Sequence, residues 1–169
     1  MLQYESIRID DELSLVQLYP DSADQLFHLT MDNKDYLAEF LPWAANMKRV
    51  ADSLRHIEKT LAERSAGNTY TYGVMFDGKL VGDAMIRGLK SDPEIGYWIA
   101  KDYSGRGIIT KAAGALTDLA LDDLGVDSVT IKARSDNIAS NRVAAKLGYK
   151  LIDTEIRNED LLNIWAKSR

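Results

Sequence analysis

Seven consecutive residues, Ser104-Gly105-Arg106-Gly107-Ile108-Ile109-Thr110, have the composition and the setting of an anion cradle. They follow an apolar run over residues 94–100 that reads as a strand, and they open a run over residues 110–124 with helical apolar spacing. In such a turn small residues let backbone N–H groups face inward, and the helix N-terminus adds partial positive charge, so a phosphate or pyrophosphate fits. Spacing narrows the choice of ligand. The dinucleotide fingerprint needs a third glycine where Thr110 stands, and no strand with an acidic ribose-binding end follows at the required distance. The nucleoside triphosphate loop, Gly-x-x-x-x-Gly-Lys-Ser/Thr, is absent.

A second constellation lies downstream: Ala133-Arg134-Ser135-Asp136-Asn137-Ile138-Ala139-Ser140-Asn141-Arg142, then Lys146-Leu147-Gly148-Tyr149. Alone, Asn-x-x-Ser ahead of an apolar helical run is ordinary helix-capping chemistry. In this order, the two motifs resemble the GNAT superfamily of N-acetyltransferases. Within it the chain is most similar to the subfamily that acetylates N-termini of ribosomal proteins, through Leu41-Pro42-Trp43, Glu94-Ile95-Gly96-Tyr97-Trp98 and Asn137-x-x-Ser140-Asn141. The resemblance covers nearly the whole chain and is most specific in its second half. The superfamily loop reads Gln/Arg-x-x-Gly-x-Gly/Ala; Ser104 and Ile109 depart from it, and Ser104 costs one contact to the pyrophosphate while leaving the backbone donors.

The resemblance implies an α/β acyl-CoA N-acyltransferase fold with acetyl-CoA as acetyl donor. Residues 94–100 and 129–133 would be parallel strands that splay at their C-terminal ends, so that the pantetheine arm enters between them. Backbone N–H groups of Ser104, Gly105, Arg106, Gly107, Ile108, Ile109 and Thr110 would hold the pyrophosphate, with Arg106 adding charge. The amide near Ile99 would donate to the thioester oxygen. Asn137 would contact the pantetheine arm, with Asn141 beside it among the cofactor contacts, and Ser140 would protonate the departing thiolate.

No histidine lies near these motifs, and the sequence alone places neither Glu94 nor Glu155; Glu94 acting through water is the expected base if one is used, and the acceptor sets how much base is needed. An α-amine with a pKa of about 7.7–8.0 is appreciably neutral near pH 7.4, whereas a lysine side chain is only about 0.1% neutral. The expected reaction is direct acetyl transfer to a protein α-amine, that of an N-terminal Ser or Ala of a ribosomal protein. Acetylation of a polyamine or antibiotic amine is the alternative within the class, and a non-catalytic acyl-CoA sensor the alternative outside it. No acyl-cysteine intermediate can form, because the chain has no cysteine.

Composition fits this reading. His28 and His56 are the only histidines, read as structural or surface residues, and a zinc site is not expected. The balance of 21 basic and 26 acidic residues gives a net charge of −5, which argues against direct nucleic-acid binding and favours a cationic acceptor. Asp21, Asp24, Asp32, Asp35 and Glu39 cluster on what reads as a solvated helix face. Neither a signal sequence nor an apolar run of the roughly 20 residues a membrane span needs is found, so a cytoplasmic protein with no membrane contact is expected.

The elements that must position these residues are legible in outline. A strand is expected over residues 13–18, helices at about 23–30 and 50–65, and a hairpin over residues 70–76 and 79–87 about Asp77-Gly78. After the strand at 94–100 and the helix at 110–124, Gly125 serves as a stop. Residues 129–133 read as a strand, 139–147 as a helix, and 149–154 with 161–167 as a closing hairpin. One domain over residues 1–169 follows, with a mixed, mainly antiparallel sheet and helices on both faces. A homodimer through the last strand is a further expectation.

Overall fold

The computed structural model describes residues 3–169. Eight strands form one sheet: β1 (Ser6–Arg8), β2 (Leu13–Val16), β3 (Tyr70–Phe76), β4 (Lys79–Arg87), β5 (Glu94–Ile99), β6 (Ser128–Arg134), β7 (Lys150–Arg157) and β8 (Asp160–Ser168). Their spatial order is β1-β2-β3-β4-β5-β6-β8-β7, antiparallel everywhere except between β5 and β6. Six helices cover it: α1 (Ala23–Asp32), α2 (Lys34–Ala38), α3 (Pro42–Asn46), α4 (Val50–Ser65), α5 (Ile108–Asp118) and α6 (Ile138–Lys146). The mixed, mainly antiparallel sheet with helices on both faces is therefore as expected.

Local chemistry accounts for the joins. Asp77 and Gly78 both have positive φ, 49° and 75°, the geometry of a type I′ hairpin. Asn158 and Glu159 repeat it at the β7–β8 turn, with φ 50° and 70°. At the start of α4 the Asp52 carboxylate accepts the N–H groups of Lys48 and Arg49, at 3.0 and 3.1 Å.

The two faces of the sheet carry separate cores. On one, Leu13, Leu15, Val74, Ile86, Ile95 and Ile131 pack against Ile108, Ala112 and Leu116 of α5. On the other, Leu18, Leu80 and Trp98 pack against Leu26 of α1 and Ile57 of α4. Period-two alternation divides β5 between them, Ile95 facing α5 and Trp98 facing α1 and α4. At roughly 1.5–3 kcal/mol per fully buried large apolar side chain, both layers are needed to hold β5 in place.

The structure corrects several expected boundaries. β1 and the five-residue helices α2 and α3 were not anticipated, and Trp43 lies in the first turn of α3 behind Pro42. Helix α5 begins at Ile108, two residues before the expected start. It passes into a π turn over Leu119–Asp123, where the Leu124 N–H reaches back five residues to the Leu119 carbonyl at 2.8 Å. Gly125, with φ 71°, ends the run as read from the sequence.

Candidate active site

The site begins where the sheet comes apart. β5 and β6 are aligned only at Glu94 and Thr130, where the Thr130 N–H donates to the Pro93 carbonyl at 2.9 Å. Beyond that point β5 remains bonded to β4, through Gly82 opposite Ile99, while β6 remains bonded to β8. The facing edges of the two strands are thus left without a strand partner toward their C-terminal ends.

At the end of β5 the glycine-rich turn has the conformation its residues call for. Gly105 and Gly107 have φ of 75° and 78°, and no Cβ-sized obstacle lies within 4 Å of either. The N–H groups of Gly105, Arg106 and Gly107 make no backbone hydrogen bond among the described residues. Those of Ile108, Ile109 and Thr110 open α5, whose first turn has no side-chain cap. Ser104 differs, because its N–H and Oγ both donate to the Lys101 carbonyl, at 3.1 and 2.7 Å.

A cavity of about 600 Å³ runs from this turn to α6; Ile99, Ser104, Gly105, residues 107–110, Asn137 and Ser140 all line it. On the α4 face a second, larger groove of about 1030 Å³ extends from Trp43 past His56, Asp83 and Glu94 to the β7–β8 turn at Arg157 and Asn158. Phe40, Leu41, Tyr97, Trp98, Asn137 and Ser140 line both, so the two spaces meet over the splayed end of β5.

At the junction the Tyr97 hydroxyl and Ser140 Oγ are 2.9 Å apart. Burial pushes the Tyr97 phenol up to about 12, against the smaller opposing pull of its bond to Ser140, so it stays protonated at neutral pH. Asn137 caps α6, its Oδ1 accepting the Ser140 N–H at 3.2 Å, and that bond fixes where Ser140 stands. The Trp43 and Trp98 rings lie 6.0 Å apart at the mouth of the larger groove.

Three predicted residues have other surroundings. Asn141 lines neither cavity: its Nδ2 donates to the carbonyls of Arg134 and Asn137, and its Oδ1 accepts from Asn163 and Trp165. With every polar position of the amide used, it ties β6, α6 and β8 together and has nothing left to offer a ligand. Arg106 is exposed and lies over the Tyr103 ring at 5.2 Å. Glu94 is buried and ion-paired with Arg87 at 2.7 Å, in the larger groove but at the opposite end of β5 from the junction.

Two features escaped sequence reading. Tyr97 stands in an ordinary strand pattern, and the hydroxyl that meets Ser140 belongs to a residue 43 positions away. His56 on α4 lies 3.4 Å from Asp83 on β4, with both in the larger groove. The available signal was Asp83 itself, a lone carboxylate inside the apolar run Leu80-Val81-Gly82-Asp83-Ala84-Met85-Ile86.

Comparison with known proteins agrees with this geometry. The family model described as an acetyltransferase (GNAT) domain matches residues 12–150. The protein YdaF of Bacillus subtilis (strain 168) is 31% identical over 147 residues, covering 84% of this chain and 80% of that protein. The ribosomal-protein-serine acetyltransferase of Escherichia coli (strain K12) is 25% identical over 162 residues, covering 94% and 90%. Among solved structures, the microcin C7 self-immunity acetyltransferase MccE, in complex with acetyl-CoA and AMP, superposes with a TM-score of 0.91 at 25% identity, over 99% and 98% of the two chains. With its model spanning most of the sequence, this chain belongs to the GNAT acetyltransferase family.

Proposed function

We propose that this protein transfers an acetyl group from acetyl-CoA directly to the α-amine of a protein N-terminus, that of a ribosomal protein, in the cytoplasm. The observation that carries this reading is the meeting of two cavities at the Tyr97–Ser140 hydroxyl pair. One cavity suits the donor and the other an extended acceptor. The name of the Escherichia coli relative supports the choice of acceptor.

The residues present fit acetyl-CoA. Backbone donors of Gly105, Gly107, Ile108, Ile109 and Thr110, without partners among the described residues, suit a pyrophosphate. The unpaired edges of β5 and β6 suit the amides of a pantetheine arm, with the Ile99 backbone at the inner end. Bound there, acetyl-CoA supplies an acyl group activated on sulfur. Asn137 holds Ser140 at the junction, the Tyr97 hydroxyl positions its Oγ, and Ser140 delivers a proton to the leaving sulfur. A groove of about 1030 Å³ is larger than a single small amine requires and suits several residues of peptide.

The test is CoA release by the purified protein with Ser- and Ala-initiated peptides, the same peptides with blocked N-termini, and spermidine. Release only with free N-termini is expected. Release with spermidine alone would move the acceptor to small amines, and acetyl-CoA binding without release from any amine would favour a sensor. The last strand of the chain, β8, is paired on both sides, so the proposed homodimer contact moves from it to the outer edge of β7, where Ile152 and Ile156 are 60% and 78% exposed. Sedimentation velocity is expected to give a dimer, and a monomer at assay concentration would remove that part.

A further inference from the structure

We propose that His56 and Asp83 are the proton-accepting pair of the acceptor groove: His56 takes the proton shed by the attacking amine, and Asp83 fixes the ring that receives it. The inference rests on the acetyl-transfer reading above and supplies a base at the junction end of β5.

Position favours this pair over Glu94. In the β4–β5 register Asp83 lies opposite Trp98, which lines both cavities. Glu94 lies opposite Arg87, four residues earlier along β5, or roughly 13 Å at strand rise. There β5 and β6 are still paired, and the Glu94 carboxylate is engaged by Arg87. The pair thus stands where the strands part, and Glu94 where they join.

The local chemistry points the same way. Asp83 is 2% exposed in an apolar strand, where a carboxylate requires a partner. That partner is His56 Nε2 at 3.4 Å, on a side chain still 37% open to the groove. An ionised Asp83 fixes the tautomer with the proton on Nε2 and leaves the lone pair on Nδ1 as the acceptor. Two further polar atoms of groove-lining residues, Asp83 Oδ1 and Thr71 Oγ1, are buried and make no hydrogen bond among the described residues. Buried polar atoms without partners are uncommon, and these two, on adjacent strands, leave His56 as the side-chain partner of Asp83 among the described residues.

Burial pulls His56 toward the neutral form, but the hydrogen bond to Asp83 and the aspartate's charge outweigh it and hold the imidazole above its ordinary value. Burial raises Asp83, with His56 opposing. The other charged groups lining this part of the groove are Asp52, Lys59 and Glu63 on α4, Arg87 on β4 and Glu94 on β5. Of these Lys59 lowers His56 and Glu63 raises it. The result is an imidazole whose hold on a proton is strengthened by its partner, as a general base toward an amine requires.

In the step itself the amine nitrogen bonds to the thioester carbon and the carbon–sulfur bond breaks. An acceptor arriving as an ammonium sheds two protons: one ends on the sulfur by way of Ser140, and the other leaves through His56 to solvent.

The experiment is the pH profile of kcat/KM on a free-N-terminus peptide for the wild-type protein, His56→Gln, Asp83→Asn and Glu94→Gln, with acetyl-CoA affinity measured for each. Expected for His56→Gln is unchanged acetyl-CoA affinity, a loss of about 10²-fold at neutral pH, and disappearance of the acid limb that reports the imidazole. Asp83→Asn should keep that limb but move it to lower pH with reduced kcat, as a positioning residue would. Wild-type turnover with an unchanged profile in His56→Gln would overturn the pair alone, and loss of the limb in Glu94→Gln instead would hand the role to Glu94. A wild-type protein that releases no CoA from any amine would overturn the pair together with the acetyl-transfer reading.

Discussion

Ser140 is held twice, its N–H by the Asn137 cap and its Oγ by the Tyr97 hydroxyl, so its role can be separated from that of its neighbours. Replacing it by alanine is expected to lower kcat by about 10²-fold, the lower end of general-acid effects because a serine hydroxyl is a weak acid, with acetyl-CoA affinity nearly unchanged. Tyr97→Phe keeps the ring and loses only the second hydroxyl; steady-state kinetics should show a smaller drop than Ser140→Ala. Asn141→Ala should register in stability. It strands the indole N–H of Trp165 and the amide of Asn163, and a loss of about 1–3 kcal/mol is expected in urea unfolding. At this scale the sequence marked Asn137 and Ser140 by their spacing. It had no means of marking Tyr97 or His56, whose partners lie 43 and 27 positions away.

Among the elements, β5 depends on a glycine that has no place in any motif. A Cβ on Gly82 would stand 2.2 Å from the Trp98 carbonyl oxygen, so β4 approaches β5 as closely as it does only because no side chain intervenes. Gly82→Ala is expected to cost about 1–3 kcal/mol by chemical denaturation and to weaken acetyl-CoA binding beyond that, since β5 must move toward the gap it shares with β6. Strands and helices with strong period, such as β3, β4, α4 and α5, were legible from their residues. The shorter pieces were not, because a three-residue β1 and the five-residue α2 and α3 contain too little sequence to show a period. The splay between β5 and β6 was likewise not a property of either strand, since each is an ordinary alternating run. It was anticipated through family resemblance alone.

For the molecule as a whole, the two cores bury ionisable groups that set its pH limits. The Tyr97 and Tyr149 phenols are both pushed up to about 12 by burial, from an ordinary value of 10.0. The unfolded chain therefore releases these protons first, so the stability they confer is complete below about pH 10 and declines as pH rises toward 12. Denaturation midpoints across that window should fall in the wild-type protein and fall less in Tyr149→Phe. Arg64 is a buried cation of the same molecule, 6% exposed, held by Gln17 Oε1 at 3.1 Å and the Gln3 carbonyl at 2.7 Å and lying 4.6 Å from the Tyr70 ring centroid. By itself the sequence determined what local rules govern: the alternation of the strands, the Asp77-Gly78 hairpin, the glycine turn that frees backbone donors, and the Asn-x-x-Ser cap. Only the tertiary structure decided which side of β5 faces which helices, that two cavities meet at Tyr97 and Ser140, and that Asp83 has His56 as its partner. Those are contacts between distant segments, fixed by burying both faces of one sheet at once, and no short window of residues contains them.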